Sequence, residues 1–182
     1  RSSRGLGDVY KRQLLGSSFD SSTVKKSVKT IKWPGRLEKI KNKNMYYDVA
    51  HNVEGISAMI KTISNSHADK KVVGLFSLKS DKNIKSICKV IKNNFEIIIL
   101  CHDKSGYLLK TTVLEKILNE NNIMCFSVSS VKKGVEALEK YNDDYVKIIF
   151  GSHYIAEEVY NATGKHFDLS LIHISEPTRR PI

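Results

Sequence analysis

The run Glu96-Ile97-Ile98-Ile99-Leu100-Cys101 is the most apolar stretch of this chain of 182 residues. A short apolar run without polar alternation is typical of a strand that is buried on both faces. Strands of that kind lie inside parallel sheets, where helices cover each face. We therefore predict that this run is a central strand of such a sheet.

Strands and helices alternate on both sides of this run. Apolar or β-branched runs predict further strands over 71–78, 124–128 and 146–150. Between them, apolar residues at spacings of three and four predict helices over 52–63, from a cap at Ser80 or Asp81 to 91, and over 111–119, 131–141 and 154–162. This order indicates an α/β fold, a mostly parallel Rossmann-like sheet with helices on both faces.

A short hairpin is predicted ahead of the alternating part. Its strands are 37–41 and 45–48, joined by Asn42-Lys43-Asn44. Because a hairpin joins antiparallel neighbours, it is expected to add one antiparallel edge strand to the sheet.

The two ends of the chain differ from its middle. Of the six arginines, only Arg36 lies outside the terminal segments 1–13 and 169–182. These segments lack an apolar period, and their residues are typical of translated sequencing-adapter sequence. We therefore expect one domain over 14–168, with adapter-derived residues on both sides.

The net charge of +11 favours anionic small molecules over nucleic acid as partners. The terminal segments carry +4 of it, so +7 belongs to 14–168. Those lysines are scattered over the polar faces, without a basic run interleaved with aromatic residues. We expect a solvated basic surface that binds no nucleic acid.

Three widely spaced cysteines indicate a reducing compartment. Cys88, Cys101 and Cys125 form no close pair and are odd in number, which is typical of free thiols. No apolar stretch approaches the roughly 18 residues that a membrane span needs. We expect a cytoplasmic protein with no membrane partner.

Ligands of such sheets lie beyond the carboxyl ends of the strands. The segments that follow the predicted strands are 48–52, 77–82, 101–104, 129–132 and 151–153. Three of the five contain a histidine. These segments are expected to hold the functional residues.

The stretch Trp33-Pro34-Gly35-Arg36 precedes the hairpin. Pro34 fixes its own φ and Gly35 permits a tight bend, so together they can hold Arg36 as a rigid cation for phosphate or ribose oxygens. A plain surface arginine in a turn is the alternative interpretation.

The stretch Asp48-Val49-Ala50-His51-Asn52 follows the hairpin. Asp48 ends an apolar strand, where a carboxylate needs partners. His51 begins a helix, whose positive dipole end favours a neutral imidazole that can bond a substrate. A turn-forming aspartate and an exposed histidine are the alternatives.

Four blocks occur in a fixed order: Trp-Pro-Gly-Arg-Leu-Glu at 33–38, Asp-Val-Ala-His-Asn at 48–52, Gly-Leu-Phe-Ser-Leu-Lys-Ser-Asp-Lys-Asn at 74–83 and Phe-Gly-Ser-His-Tyr at 150–154. Together they resemble the C-terminal domain of the folylpolyglutamate synthase and dihydrofolate synthase family, within the Mur-type amide ligases. The resemblance extends over 14–168.

The resemblance implies an enzyme of folate biosynthesis. Such an enzyme uses ATP and magnesium to activate a carboxylate of dihydropteroate or folate as an acyl phosphate, which the amino group of L-glutamate attacks. It implies that Arg36 and Asp48 contact ATP and that His51 is catalytic, near the transferred group. It also implies that the substrate-binding residues are His51, Asn52, Lys79 and Asp81, with no metal ligand in this domain.

The chain departs from the family pattern at three points. Lys79, Asp81 and Lys82 match the family's Asp-Lys-Asp loop, but Asn83 replaces its last acid, so these residues can also be a helix cap with solvated lysines. Val53 stands where the family commonly has proline. No Gly-x-x-x-x-Gly-Lys-Ser/Thr loop occurs in the sequence.

The resemblance places that phosphate loop, the Mg²⁺ ligands and most folate contacts in a larger N-terminal domain. We therefore expect this chain to be a C-terminal fragment, inactive alone, of a monomeric ligase. Another Mur-type peptide ligase and a non-catalytic nucleotide-binding module stay open, and a nucleic-acid-binding domain ranks last.

Overall fold

The computed structural model of this chain describes residues 34–41 and 44–165, and the expected adapter-derived segments lie outside them. The strands in this part are β1 (Glu38–Lys41), β2 (Met45–Asp48), β3 (Lys71–Phe76), β4 (Ile97–Cys101), β5 (Cys125–Val128) and β6 (Tyr145–Phe150). The helices are α1 (Val53–Ser66), α2 (Ile84–Ile91), α3 (Thr111–Glu120), α4 (Val131–Glu139) and α5 (Ala156–Thr163).

The strands form one sheet in the order β1-β2-β6-β3-β4-β5. β1 runs antiparallel to β2, and the other neighbouring pairs are parallel. The central strand predicted at 96–101 lies between β3 and β5 as β4. The predicted α/β fold with one antiparallel edge strand is confirmed.

Helices cover both faces of the sheet. Along β4, Ile98 and Leu100 face one core, which α1, α2 and α3 cover, while Ile99 and Cys101 face the other, which α4 and α5 cover. This alternation is the period of two that a strand imposes on its side chains. None of the helices in the described ranges has the length and apolar character needed to cross a membrane.

α2 begins later than the sequence predicts. The expected caps, Ser80 and Asp81, lie outside the helix, and the side-chain oxygen of Asn83 accepts the cap hydrogen bond from the Ser86 N–H at 3.2 Å. Asn83 is the residue that departs from the family's acidic pattern. An asparagine oxygen serves a helix N-terminus as well as a carboxylate does, so the departure preserves the cap.

The carboxyl ends of β3 and β6 meet at one edge of the sheet. Gly151 follows β6 directly with φ of +105°, and a Cβ there would lie 2.0 Å from the Ser77 carbonyl oxygen. The Ser77 N–H donates to the Phe150 carbonyl at 3.2 Å. The two strand exits therefore touch through their backbones, and only glycine fits at this point.

We expect Gly151→Ala to destabilise the chain much more than Gly106→Ala. Gly106 also has a positive φ, +72°, but a Cβ there would meet no atom within 4 Å. The control, Gly106→Ala, should lower the free energy of unfolding by about 1 kcal/mol through backbone strain alone. Gly151→Ala should lower it by about 3 kcal/mol or more, because backbone strain and steric overlap combine. Urea unfolding measures both values, and equal losses would contradict the close approach.

Candidate functional site

Asp48, the last residue of β2, joins two segments of the site. Its side chain is only 6% exposed. Oδ2 accepts a hydrogen bond from the Leu37 N–H at 2.8 Å, and Oδ1 accepts one from the Ala50 N–H at 2.7 Å. Burial raises the pKa of Asp48, while these two bonds and the charge of Arg36 oppose the rise. Asp48 thus ties the turn before β1 to the segment after β2.

The turn that carries Arg36 is fixed by backbone contacts. Gly35 has φ of +66°, and a Cβ there would lie 2.8 Å from Val49 Cγ1. The Val49 N–H donates to the Gly35 carbonyl at 2.8 Å, and the Gly35 N–H donates to Glu38 Oε2 at 3.1 Å. Arg36 itself is exposed. The turn therefore presents an exposed arginine on a fixed backbone.

One ring nitrogen of His51 makes a hydrogen bond within the chain, and the other can bond a ligand. Nδ1 lies 2.8 Å from the Val49 carbonyl oxygen. Because a carbonyl can only accept, Nδ1 must be the protonated nitrogen in this contact. In its neutral form the ring then presents Nε2 as an acceptor, which can take a proton or bond an N–H.

Asn52 has a structural contact of its own. Its side-chain oxygen accepts from the Gly55 N–H at 2.8 Å and caps α1. This bond uses the side-chain oxygen of Asn52, a residue that the family resemblance implies to be substrate-binding. The cap also fixes the start of the helix directly after His51.

A basic pocket lies beside His51 at the carboxyl edge. It has a volume of about 110 Å³ and is lined by His51, Lys79, Lys82, Gly151, Ser152, His153 and Tyr154. Asp81 neutralises part of its charge, since its Oδ2 lies 3.9 Å from the Lys79 ammonium and 3.3 Å from that of Lys82. These pairs are partly exposed, so another carboxylate or a phosphate can compete for the lysines.

His153 adds a second imidazole to the pocket. Its ring stacks on Tyr154 with centroids 4.3 Å apart, and Tyr154 in turn contacts Tyr107 at 5.1 Å. Burial, followed by the electrostatic effects of the neighbouring His51 and Lys79, lowers the pKa of His153. Two imidazoles and two ammonium groups therefore share one small pocket.

The structure gathers some of the site residues predicted from the sequence and separates others. His51 and Lys79 share the pocket, and Asp81 reaches it through its ion pairs. Arg36 lies in the turn before β1 and Asp48 at the end of β2, and neither lines the pocket.

Five lining residues were not predicted as site residues: Lys82, Gly151, Ser152, His153 and Tyr154. Their signal was present in the sequence, because 151–153 follows the last strand and 150–154 is one of the family blocks. No single residue in those segments carries an unambiguous chemical role, so none could be chosen without the fold.

Two larger cavities lie away from this group. One of about 440 Å³ is bounded by Phe126 and α4, and one of about 610 Å³ lies between α5 and the side chains of Lys104 and Lys132. Neither is lined by Arg36, Asp48 or His51. Residue chemistry, not volume, therefore marks the smaller pocket as the candidate site.

The described ranges contain no group of three or more His, Cys, Asp or Glu side chains that could hold a metal ion. Asp81 is engaged by two lysines and Asp48 by two N–H groups. These residues do not fit a magnesium site.

Comparison with known proteins agrees with the motifs. A family model described as "Mur ligase, glutamate ligase domain" matches residues 35–153. A curated relative, dihydrofolate synthase/folylpolyglutamate synthase of Mycobacterium tuberculosis, is 27% identical over 97 residues, which are 53% of this chain and 20% of that protein.

Solved structures share the fold. Folylpolyglutamate synthase of M. tuberculosis, complexed with ADP and AMPPCP, matches with a TM-score of 0.71 and 21% identity over 85% of this chain and 38% of that one. E. coli FolC in complex with DHPP and ADP matches with a TM-score of 0.69 and 18% identity, over 82% and 36%. A Yersinia pestis bifunctional synthase complexed with AMPPNP and Mn ion matches at 0.69 and 16%, also over 82% and 36%. This chain therefore spans well under half the length of these relatives.

We expect the His153 imidazole to titrate below the usual histidine range. Its pKa is lowered by burial and by positive neighbours, so it stays neutral to a lower pH than an exposed histidine. Proton NMR of the ring C–H signals against pH measures this directly. In Lys79→Met the midpoint should rise, because one of the charges is removed, while Lys116→Met on α3 should leave it unchanged.

Proposed function

Because the chain belongs to the family of Mur ligase glutamate ligase domains, we propose that it is the C-terminal domain of an ATP-dependent ligase that adds L-glutamate to dihydropteroate or folate. The motif-based assignment to this family is confirmed. The finer proposal rests on one observation. The Arg36 turn, His51 and a pocket with two lysines lie together at one edge of the sheet. These side chains can together bind a carboxylate, an amine and a phosphate.

The proposed reaction forms an amide in two steps. A carboxylate oxygen of the pteroate or folate attacks the γ-phosphorus of ATP, and ADP leaves. The amino nitrogen of glutamate then attacks the carbonyl carbon of the acyl phosphate, the C–O bond to phosphate breaks, and one N–H proton is lost. ATP thus supplies phosphate as a leaving group, which a free carboxylate lacks.

The turn residues suit the phosphate side of this reaction. The Arg36 guanidinium is permanently charged and exposed, so it can bond phosphate oxygens. Asp48 keeps the turn in place through Leu37 and Ala50, and its remaining lone pairs can still meet a ribose hydroxyl. We assign Arg36 to ATP binding and Asp48 chiefly to holding the turn beside the nucleotide.

The pocket residues suit the amine and carboxylate side. Nε2 of neutral His51 can accept from the incoming amine and so orient it, which is the role proposed for His51 in catalysis. Lys79 and Lys82 can bind a substrate carboxylate in place of Asp81. Asn52 supports His51 by capping α1, an indirect contribution to substrate binding.

The rest of the proposed parent supplies the other parts. Mg²⁺ and the phosphate loop are assigned to an N-terminal domain, since the described residues here do not fit a metal site. On this proposal the fragment alone is inactive, and the parent is a monomer. The three free thiols fit a cytoplasmic location.

The proposal is tested on the full-length parent, recovered by sequencing the native transcript upstream of residue 14. Purified parent, ATP, Mg²⁺ and L-glutamate are incubated with dihydropteroate or tetrahydrofolate, and products are identified by mass. A glutamate-dependent mass gain with ADP release is expected. Activity only on a peptidoglycan precursor, or ATP binding without any ligation, would replace the proposal with another Mur ligase or a binding module.

Arg36→Ala in that parent should raise KM for ATP about tenfold, because about 1.4 kcal/mol of charge-assisted bonding is lost. Lys39→Ala, an exposed cation on the adjacent strand β1, serves as the matched control and should leave KM unchanged. Steady-state kinetics at saturating glutamate gives both values. An unchanged KM in Arg36→Ala would remove this residue from the nucleotide site.

A further inference from the structure

The carboxylate of Glu38 is the centre of a hydrogen-bond network next to the Arg36 turn. It accepts from the Gly35 N–H at 3.1 Å, from the Lys165 ammonium at 2.9 Å and from the Tyr160 hydroxyl. Gly35 belongs to the turn, whereas Tyr160 lies on α5 and Lys165 follows it. Glu38 therefore fixes the turn to a helix that is far from it in the sequence.

The network continues from α5 to the wall of the basic pocket. The Tyr160 ring packs edge-on against Tyr47, with centroids 5.9 Å apart. Tyr47 is 1% exposed, and its hydroxyl donates to the Ser152 carbonyl at 3.0 Å. Ser152 lines the pocket. The Arg36 turn and the pocket thus share one buried scaffold.

The charges in this network are well defined. Burial opposes ionisation of Glu38, but the bonds from Tyr160, Lys165 and the Gly35 N–H outweigh it and lower its pKa. Burial and the neighbouring Glu38 raise the pKa of Tyr160, so its proton stays on the phenol. The result is an anionic acceptor that stays charged well below neutral pH.

We propose that Glu38 is a positioning residue for the nucleotide: it fixes the backbone of the turn so that Arg36 meets the phosphates, and it acts only through Arg36. This inference rests on the proposed ATP-dependent function. Glu38 bonds the Arg36 turn directly and does not itself line the basic pocket, so we expect its main effect on ATP and not on the acceptor amine.

A second carboxylate and lysine pair shows what sets Glu38 apart. Glu96 pairs with Lys71 at 3.0 Å, but these side chains are 48% and 58% exposed. Glu96 precedes β4 and so lies at the opposite edge of the sheet, away from the site. Exposed pairs of this kind contribute little, which makes Glu96→Gln a matched control.

The test is a double-mutant cycle in the full-length parent. Glu38→Ala should raise KM for ATP about tenfold, with a smaller change in kcat and none in KM for glutamate. In the Arg36→Ala background, the same substitution should produce no further increase, because its effect passes through Arg36. Glu38→Gln, which keeps an acceptor for the Gly35 N–H, should recover most of the affinity.

Additive effects of Glu38→Ala and Arg36→Ala would overturn the inference, as would an equal rise in KM for ATP in Glu96→Gln. If Glu38→Ala does not fold, Tyr160→Phe replaces it, since this change removes one donor and keeps the ring; a KM for ATP equal to wild type would then contradict the network. A wild-type parent without any ATP-dependent ligation would instead refute the proposed function, so the two failures are distinguishable.

Discussion

The site depends on the buried carboxylate of Asp48, which binds the N–H groups of Leu37 and Ala50 at once. One of these groups belongs to the turn that carries Arg36, and the other to the segment that carries His51. A single residue at the end of β2 therefore sets the relative positions of Arg36, which we propose binds phosphate, and His51, which we propose orients the amine. Without those two bonds, only the charge of Arg36 would oppose the burial that raises the pKa of Asp48, so position and electrostatics are coupled.

The parallel sheet explains why the remaining parts converge. Successive parallel strands end at one edge, so residues after β2, β3 and β6 become neighbours although a hundred positions separate them. The contact between Gly151 and the Ser77 carbonyl brings two of these exits within touching distance. Tyr47, Tyr160 and Glu38 then connect the same edge to α5. A rigid edge of this kind suits a reaction that needs three reactants held in register.

Much of the fold could be predicted because its signals are local. The apolar run of β4 indicates that this strand is buried, and the spacing of Ile56, Met59 and Ile63 indicates which face of α1 is buried. Arg36, Asp48 and His51 were found because they occupy short, distinctive stretches. The segments that contain Lys82, Ser152 and His153 were expected to hold functional residues, but which side chains line the pocket could not be predicted, since that depends on strand order. Glu38 was visible as a motif residue, but its partners Tyr160 and Lys165 follow it by more than a hundred positions.

The central claim is that this edge of the sheet meets the nucleotide and the acceptor amine of a ligase. A crystal structure of the full-length parent with a non-hydrolysable ATP analogue tests it most directly. The account predicts the Arg36 guanidinium within about 3 Å of a phosphate oxygen, and the γ-phosphate facing the pocket of His51, Lys79 and Lys82. A nucleotide bound with no contact to the Arg36 turn or this pocket would contradict it.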